Sequence, residues 1–274
     1  MTTLDPSMTA LDALRVPFVT ADEAYALLRT ELERLLALAE TVAPADWAKP
    51  TACTGWTVRD ILAHQAGSYA SGTSYREMLR QYLVRTKPGQ LTEDATNELQ
   101  LAERADASPG QLIAEIRQVG PVAIRKWAYA FRLFKLLSVP HPIPGSLSMR
   151  DLMWVIHSRD TWMHRLDICR ALGRSFEPTT GHDDRIVALV MRDAAKKLAP
   201  QLGGQAVIFD LSGLAGGVWK IGPGEAATTI QMDELDFNIY ASGRYSYAEG
   251  RAKTRISGDV GLAELALKHT QVLY

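Results

Sequence analysis

The sequence predicts an all-helical up-and-down bundle over residues 1–200, followed by a small α+β domain over residues 201–274. Three observations predict it. Up to Pro200, long stretches carry apolar residues every three or four positions, the period of amphipathic helices. After Pro200, short runs rich in β-branched and aromatic residues are cut by Gly and Pro, which reads as strands and turns. Within the first part, residues 146–173 form one helical segment in which ionisable residues recur on a background that would otherwise be buried.

Composition narrows the class. At 274 residues, 47% apolar and 22% charged, the chain has the balance of a globular protein and length for one large or two ordinary domains. A net charge of -1 argues against a nucleic-acid partner, whose binders carry a basic surplus. The first residues lack a basic stretch followed by an apolar one, and no apolar run is long enough to span a bilayer. Neither export nor a membrane span is expected, and the expected location is the cytoplasm. Cys53 and Cys169 lie far apart without C-x-x-C spacing, which argues against a disulfide framework or a cysteine zinc site.

In chain order, residues 1–19 read as an irregular lead-in, and Thr20 with Glu23 opens a helix to about Ala43, closed by Pro44. Tyr25, Leu28, Leu32, Leu35, Leu36 and Ala39 form its core stripe. A loop rich in Pro, Thr and Gly ends at Thr57, which with Asp60 caps a second helix. Val58, Ile61, Leu62 and Gln65 face inward there with His64 among them, and Gly67 and Gly72 weaken the helix. Residues 75–85 resume helical character, 92–104 read as a polar, exposed helix, and Ser108-Pro109 starts a long pattern to Leu137 with a kink at Pro121. Residues 138–145 are a connector. After residue 173 a helix over 181–199 is expected, then three antiparallel strands at 205–213, 217–223 and 226–233. A short helix, a last strand at 253–259 and a closing amphipathic helix complete the chain.

The segment 146–173 carries the chemistry. Ser148 with Asp151 reads as an N-cap and Gly173 as a left-handed C-terminal residue. His157, Asp160, His164 and Asp167, spaced by three, four and three, share one stripe at ~100° per residue. Buried ionisable groups need partners or a metal, and Asp160 with His164, one turn apart, can face a single divalent ion such as zinc. His64 is a third candidate ligand.

These residues resemble a known family. Trp47, Pro50-Thr51, Cys53, the run Gly55-Trp56-Thr57-Val58-Arg59-Asp60 and Ala63-His64 resemble the N-terminal signature of the mycothiol-dependent maleylpyruvate isomerase family, a branch of the DinB-like four-helix bundles. The resemblance implies a metal held by His64, Asp160 and His164, with His157 a possible substitute ligand. It also implies that the last 74 residues form a sterol-carrier-like domain with its Gly243-Arg244 step. Asp160 stands where the family commonly has Glu. Being one methylene shorter, it requires the helix to sit nearer the ion or a water to bridge.

Three protein ligands leave an open position on the ion, the catalytic arrangement. The function implied by the resemblance is divalent-metal-dependent activation of a low-molecular-weight thiol, mycothiol in the family, for isomerisation or S-transfer on a small electrophile. Arg244, and more weakly Arg76 or Arg80, would anchor a carboxylate. The alternative is a non-catalytic small-molecule or lipid-binding protein with a vestigial or structural metal site. A regulator acting through the basic face at 117–135 is a weaker third. For other residues the expectations are structural: Asp167 pairs with a neighbouring arginine or orients His164, Trp56 shapes its loop, Cys53 packs as a small buried residue, and His141 and His182 are exposed.

Overall fold

A cap at almost every helix start explains where the helices begin. The computed structural model describes residues 10–143 and 145–274, so the first nine residues of the lead-in and Pro144 of the connector lie outside the described residues. In α1 (Ala21–Glu40) the Thr20 hydroxyl accepts from Glu23 N–H. In α2 (Val58–Ser71) Thr57 and Asp60 form a reciprocal capping box. α3 (Tyr75–Tyr82) is capped by Ser74 and α5 (Pro109–Tyr129) by Ser108 with Gln111, while α4 (Thr92–Ala102) starts without a side-chain cap. Pro121 sits inside α5, which runs on past it and ends at Tyr129 rather than near residue 137. Phe131, at φ 51°, turns the chain out of the helix.

The connector is a two-stranded hairpin, β2 (Ser138–His141) with β3 (Gly145–Ser148), so strands do occur before residue 200. The Ser148 hydroxyl caps α6 (Met149–Asp151), one π-helical turn follows over Leu152–Ile156, and α7 (His157–Leu172) completes the segment, closed by Gly173 at φ 66°. The wide turn inserts one residue's worth of rotation ahead of His157. It resets which face of α7 looks inward, as such bulges do at functional sites.

The first compact unit comprises Val19–Val139 and Leu147–Phe176. α1 and α2 both pack on α5, and α7 packs on α1 and α2, giving the four-helix core. Leu28, Leu32, Leu35, Ile61, Leu62, Ile116, Trp127, Met153 and Ile168 share one apolar cluster there. Gly67 of α2 and Gly72 at its C-terminal cap serve close approach. A Cβ on Gly67 would meet Gln100 of α4 at 2.5 Å, and one on Gly72 would meet Trp127 at 2.7 Å.

The second unit takes the described part of residues 1–18 and 140–146, together with Glu177–Tyr274. The units therefore do not divide at Pro200. α8 (Asp183–Leu198) buries Val187, Val190, Met191, Ala194 and Leu198 with Val207, Phe209 and Ile221 of the sheet, because its apolar stripe finds its partner there. The sheet runs β1-β5-β4-β6-β7, with β1 (Leu11–Asp12), β4 (Ala206–Ser212), β5 (Gly217–Ile221), β6 (Ala226–Asp233) and β7 (Arg255–Gly258). The expected all-antiparallel pairing is corrected at two places: β6 runs parallel to β4, and β1 of the lead-in runs parallel to β5. After the β4–β5 hairpin the chain crosses the end of β4 and adds β6 on its far side, which restores the direction of β4. Thr228, Ile230 and Met232 alternate inward on β6, while Gln231 on the other face donates to Asp210 of β4. α9 (Glu234–Ala241), the short α10 (Tyr247–Ala252), which went unanticipated, and α11 (Val260–Lys268) complete the unit.

Candidate functional site

α2, capped at Thr57, and α7, which continues from a π turn, pack side by side with His64 turned toward Asp160 and His164. His64 Nε2 lies 3.4 Å from Asp160 Oδ2, and His164 Nε2 lies 3.3 Å from Asp160 Oδ1. One ligating atom from each of the three residues falls within 4.8 Å of the others, as needed to hold a metal ion. Both histidines are buried and Asp160 is mostly so. Burial by itself would raise the Asp160 carboxyl, but the two histidines outweigh it and hold it well below the usual carboxylate range. Burial would likewise lower His164, yet Asp160 and Asp167 hold it well above its ordinary value.

The other ring nitrogens explain why both Nε2 atoms are ready to ligate. The side-chain amide of the buried Gln81 donates to the Gly67 carbonyl, which can only accept, and this orients the amide. Gln81 Oε1 then accepts from Gln100 Nε2 at 2.8 Å, which turns Gln100 Oε1 toward His64 Nδ1, also at 2.8 Å. An amide oxygen only accepts, so His64 carries its proton on Nδ1 and presents a bare Nε2. Asp167, almost wholly buried, orients His164 by accepting from Nδ1 at 3.1 Å, and Nε2 of that ring gives up its proton when a cation binds. Such outer partners orient ligating histidines and fix their tautomer. Gln65 holds Asp160 from the side, donating to Oδ2 at 2.6 Å, while its own oxygen accepts from Thr161.

The structure brings the three expected ligands together and sets His157 apart. His157 Nδ1 pairs with Ser68 Oγ at 3.3 Å, its Nε2 with the Tyr82 hydroxyl at 3.2 Å, and its ring stacks on Trp127 at 3.9 Å. Both nitrogens are engaged, and burial draws its pKa down to about 4. Asp160, though shorter than Glu, reaches both histidines, because α7 lies against α2 closely enough.

Asp167 orients His164, one of the two roles expected of it, and Arg165 pairs with Glu31 of α1. Several other expectations are corrected. Trp56 does more than shape its loop: its ring lies 5.2 Å from that of His64 and 6.0 Å from that of His164. Cys53 is half-buried beside His164 rather than packed in a core. α4 is not a wholly exposed helix, since Ala95, Thr96 and Gln100 are buried. Gln100 was missed because a glutamine among Glu, Asp and Thr carries no periodic signal of burial. Its only trace in the sequence is Gly67, whose missing side chain makes room for it. Arg80 is committed to Glu77 and Glu103, tying α3 to α4, and Arg76 is exposed. Arg244 sits in the second unit at the turn after α9, half-buried, its N–H donating to the Ile239 carbonyl. His141 is buried and its Nδ1 accepts from Ile143 N–H, while His182 is half-buried at the start of α8.

The donor set fits a divalent cation. Two imidazole nitrogens and a carboxylate suit zinc or a similar metal, and one ligating atom from each residue lies within 4.8 Å of the others. Fold and site together define a class: a helical bundle with a two-histidine, one-carboxylate cluster of the kind that can hold a metal, together with an α+β unit. Residues 28–169 match the family model of the mycothiol maleylpyruvate isomerase N-terminal domain, just over half of the chain, and the chain belongs to that family. An uncharacterized protein of Mycobacterium tuberculosis, recorded in two strains, is 27% identical over 227 residues, covering 77% of this chain and 80% of that protein. The solved structure of a mycothiol-dependent maleylpyruvate isomerase is similar at a TM-score of 0.56 and 18% identity, covering 88% of this chain and 95% of the other. A histidine-to-alanine variant of that enzyme matches at 0.57. At this identity the likeness concerns the fold, and it bears out the expected two-part α and α+β architecture. Among the described residues no helix is long and apolar enough to cross a membrane.

Proposed function

We infer that this protein is a divalent-metal-dependent enzyme that activates a low-molecular-weight thiol of the mycothiol type for isomerisation or S-transfer on a small electrophilic substrate. One observation carries the reading: His64 and His164 each have Nδ1 held by an acceptor while both Nε2 atoms converge on Asp160. His64, Asp160 and His164 would hold the metal, with zinc the ion best suited to the donors. A cation bound there supplies Lewis acidity, which lowers the pKa of a thiol that reaches it.

The chain's own residues do the rest. Asp160 balances the charge of the ion and is kept in place by Gln65. Gln100 and Asp167 hold the two imidazoles in one orientation, so the rings need not turn on binding. Trp56, lying against both rings, excludes water from one side of the pocket and offers an apolar wall to the carbon skeleton of a substrate. Arg244 is the proposed anchor for a carboxylate of the thiol or substrate, a role suggested by the family resemblance. A reducing cytoplasm, the proposed location, agrees with two cysteines that form no disulfide.

The test is metal content by mass spectrometry of protein purified without chelator or nickel, for wild type and His164→Ala. It is followed by an assay of maleylpyruvate isomerisation with and without mycothiol. Near-stoichiometric zinc that is lost in the variant, with thiol-dependent turnover, supports the reading. Metal-free wild type, or turnover indifferent to thiol, overturns it in favour of a binding protein.

A further inference from the structure

A second group of ligating side chains lies directly behind the first. Cys53 Sγ is 3.5 Å from Asp167 Oδ2 and 3.9 Å from His164 Nδ1, and that nitrogen is 3.1 Å from the same carboxylate oxygen. Sulfur, nitrogen and oxygen therefore form a triangle with one ligating atom from each residue within 4.8 Å of the others. A tetrahedral ion with ordinary zinc–sulfur, zinc–nitrogen and zinc–oxygen bonds asks for edges of about 3.4–3.6 Å. The observed triangle matches this with shifts of a few tenths of an ångström.

The sulfur is held in position by its loop. Thr51 Oγ1 accepts from the Cys53 N–H, the Cys53 carbonyl accepts from Trp56 N–H, and Thr51 pairs with Trp56 across the same turn. Asp167 and His164 are buried on α7 while Cys53 is half-buried, so an ion could approach from the cysteine side. A thiolate beside an imidazole and a carboxylate selects soft, thiophilic cations over the oxygen-seeking ones.

We propose that Cys53, His164 through Nδ1, and Asp167 form a second cation site for a thiophilic divalent ion of the zinc and cadmium class, sharing the His164 ring with the first. Binding forms sulfur–metal, nitrogen–metal and oxygen–metal bonds. The thiol proton of Cys53 and the Nδ1 proton of His164 pass to solvent, so with both sites filled the ring bridges the two ions as an imidazolate, and no electron is transferred. The ion takes the place of the hydrogen bond by which Asp167 orients His164, so the two sites are coupled through one imidazole.

The experiment is equilibrium dialysis of the full chain with cadmium, following the thiolate-to-cadmium charge-transfer absorbance, on wild type, Cys53→Ser, Cys169→Ser and His64→Ala. Cys53→Ser, a near-isosteric change at a half-buried position, should lose one equivalent of cadmium and the whole absorbance band. Cys169→Ser should keep both. His64→Ala, which removes a ligand of the first site only, should keep the band, so failure of the first site and of the second are read separately. A wild-type stoichiometry in Cys53→Ser, a band that follows Cys169, or a band abolished by His64→Ala would each reduce the cluster to a hydrogen-bonded support of His164 and overturn the second site.

Discussion

Replacing Gln100 by Leu removes the one acceptor that selects the tautomer of His64. The side chain is buried, with its oxygen 2.8 Å from His64 Nδ1 and its nitrogen 2.8 Å from Gln81 Oε1. Leucine fills similar volume and makes neither bond. His64 is then free to carry its proton on Nε2, the atom that faces Asp160, and a metal must displace that tautomer before it binds. Loss of such an outer partner costs about 10–100-fold in metal affinity, or roughly 1.4–2.7 kcal/mol. The Gln81 oxygen is also stranded, at a further cost of about 1–3 kcal/mol in folding stability. Competition against a chromophoric chelator measures the first effect and denaturant unfolding of the metal-free protein the second. A folded Gln100→Leu variant that binds zinc within twofold of wild type would refute the proposed route from the Gly67 carbonyl through two amides to His64.

His64→Ala should abolish binding at the first site and His164→Ala most metal binding, whereas His157→Gln should change it by less than about threefold, since His157 has both nitrogens engaged elsewhere. Equal losses from all three variants, measured as metal per chain, would make His157 a ligand. His157 also predicts a pH dependence. Burial lowers its folded value to about 4 from an ordinary 6.5, so the unfolded chain takes up the proton first. The stability it contributes is present in full above 6.5 and is lost as pH falls toward 4, on the order of 3 kcal/mol. Unfolding free energies of wild type and His157→Gln should therefore converge as the pH is lowered through that window, and parallel curves would contradict the shift. Gly67→Ala should destabilise by about 1–3 kcal/mol and weaken metal binding together, because the new methyl collides with Gln100, the support of His64. A stability loss with unchanged affinity would separate the two.

Much of this molecule is written locally. Thr57 with Asp60, Ser108 with Pro109, and Gly173 each act within one turn of chain, so the starts of α2 and α5 and the end of α7 could be read from the letters. The spacing of Asp160 and His164 likewise places both on one face without any tertiary contact. The strands of the second unit were legible from their β-branched runs, but their directions were not. Parallel pairing of β4 with β6 depends on where the chain crosses after a hairpin, and no residue type encodes that. The assignment of α8 escaped for a related reason. Its stripe of Ile186, Val190 and Ala194 suits a helical bundle as well as a sheet, and only the partner decides between them.

Local rules therefore determined by themselves that this chain would offer two histidines and a carboxylate on helices, since capping and helical periodicity act between neighbours in sequence. The tertiary structure alone decided what those side chains are. Gln100 and Gln81, 19 residues apart, meet because α3 and α4 fold back over α2, and their amides can satisfy each other only in one orientation once the Gly67 carbonyl is buried against them. Cys53 comes to His164 and Asp167 across more than a hundred residues. The inserted π turn sets the phase of α7 relative to α2. A hydrogen bond between groups distant in sequence has no signature in either segment, because its energy exists only after packing has excluded water from both.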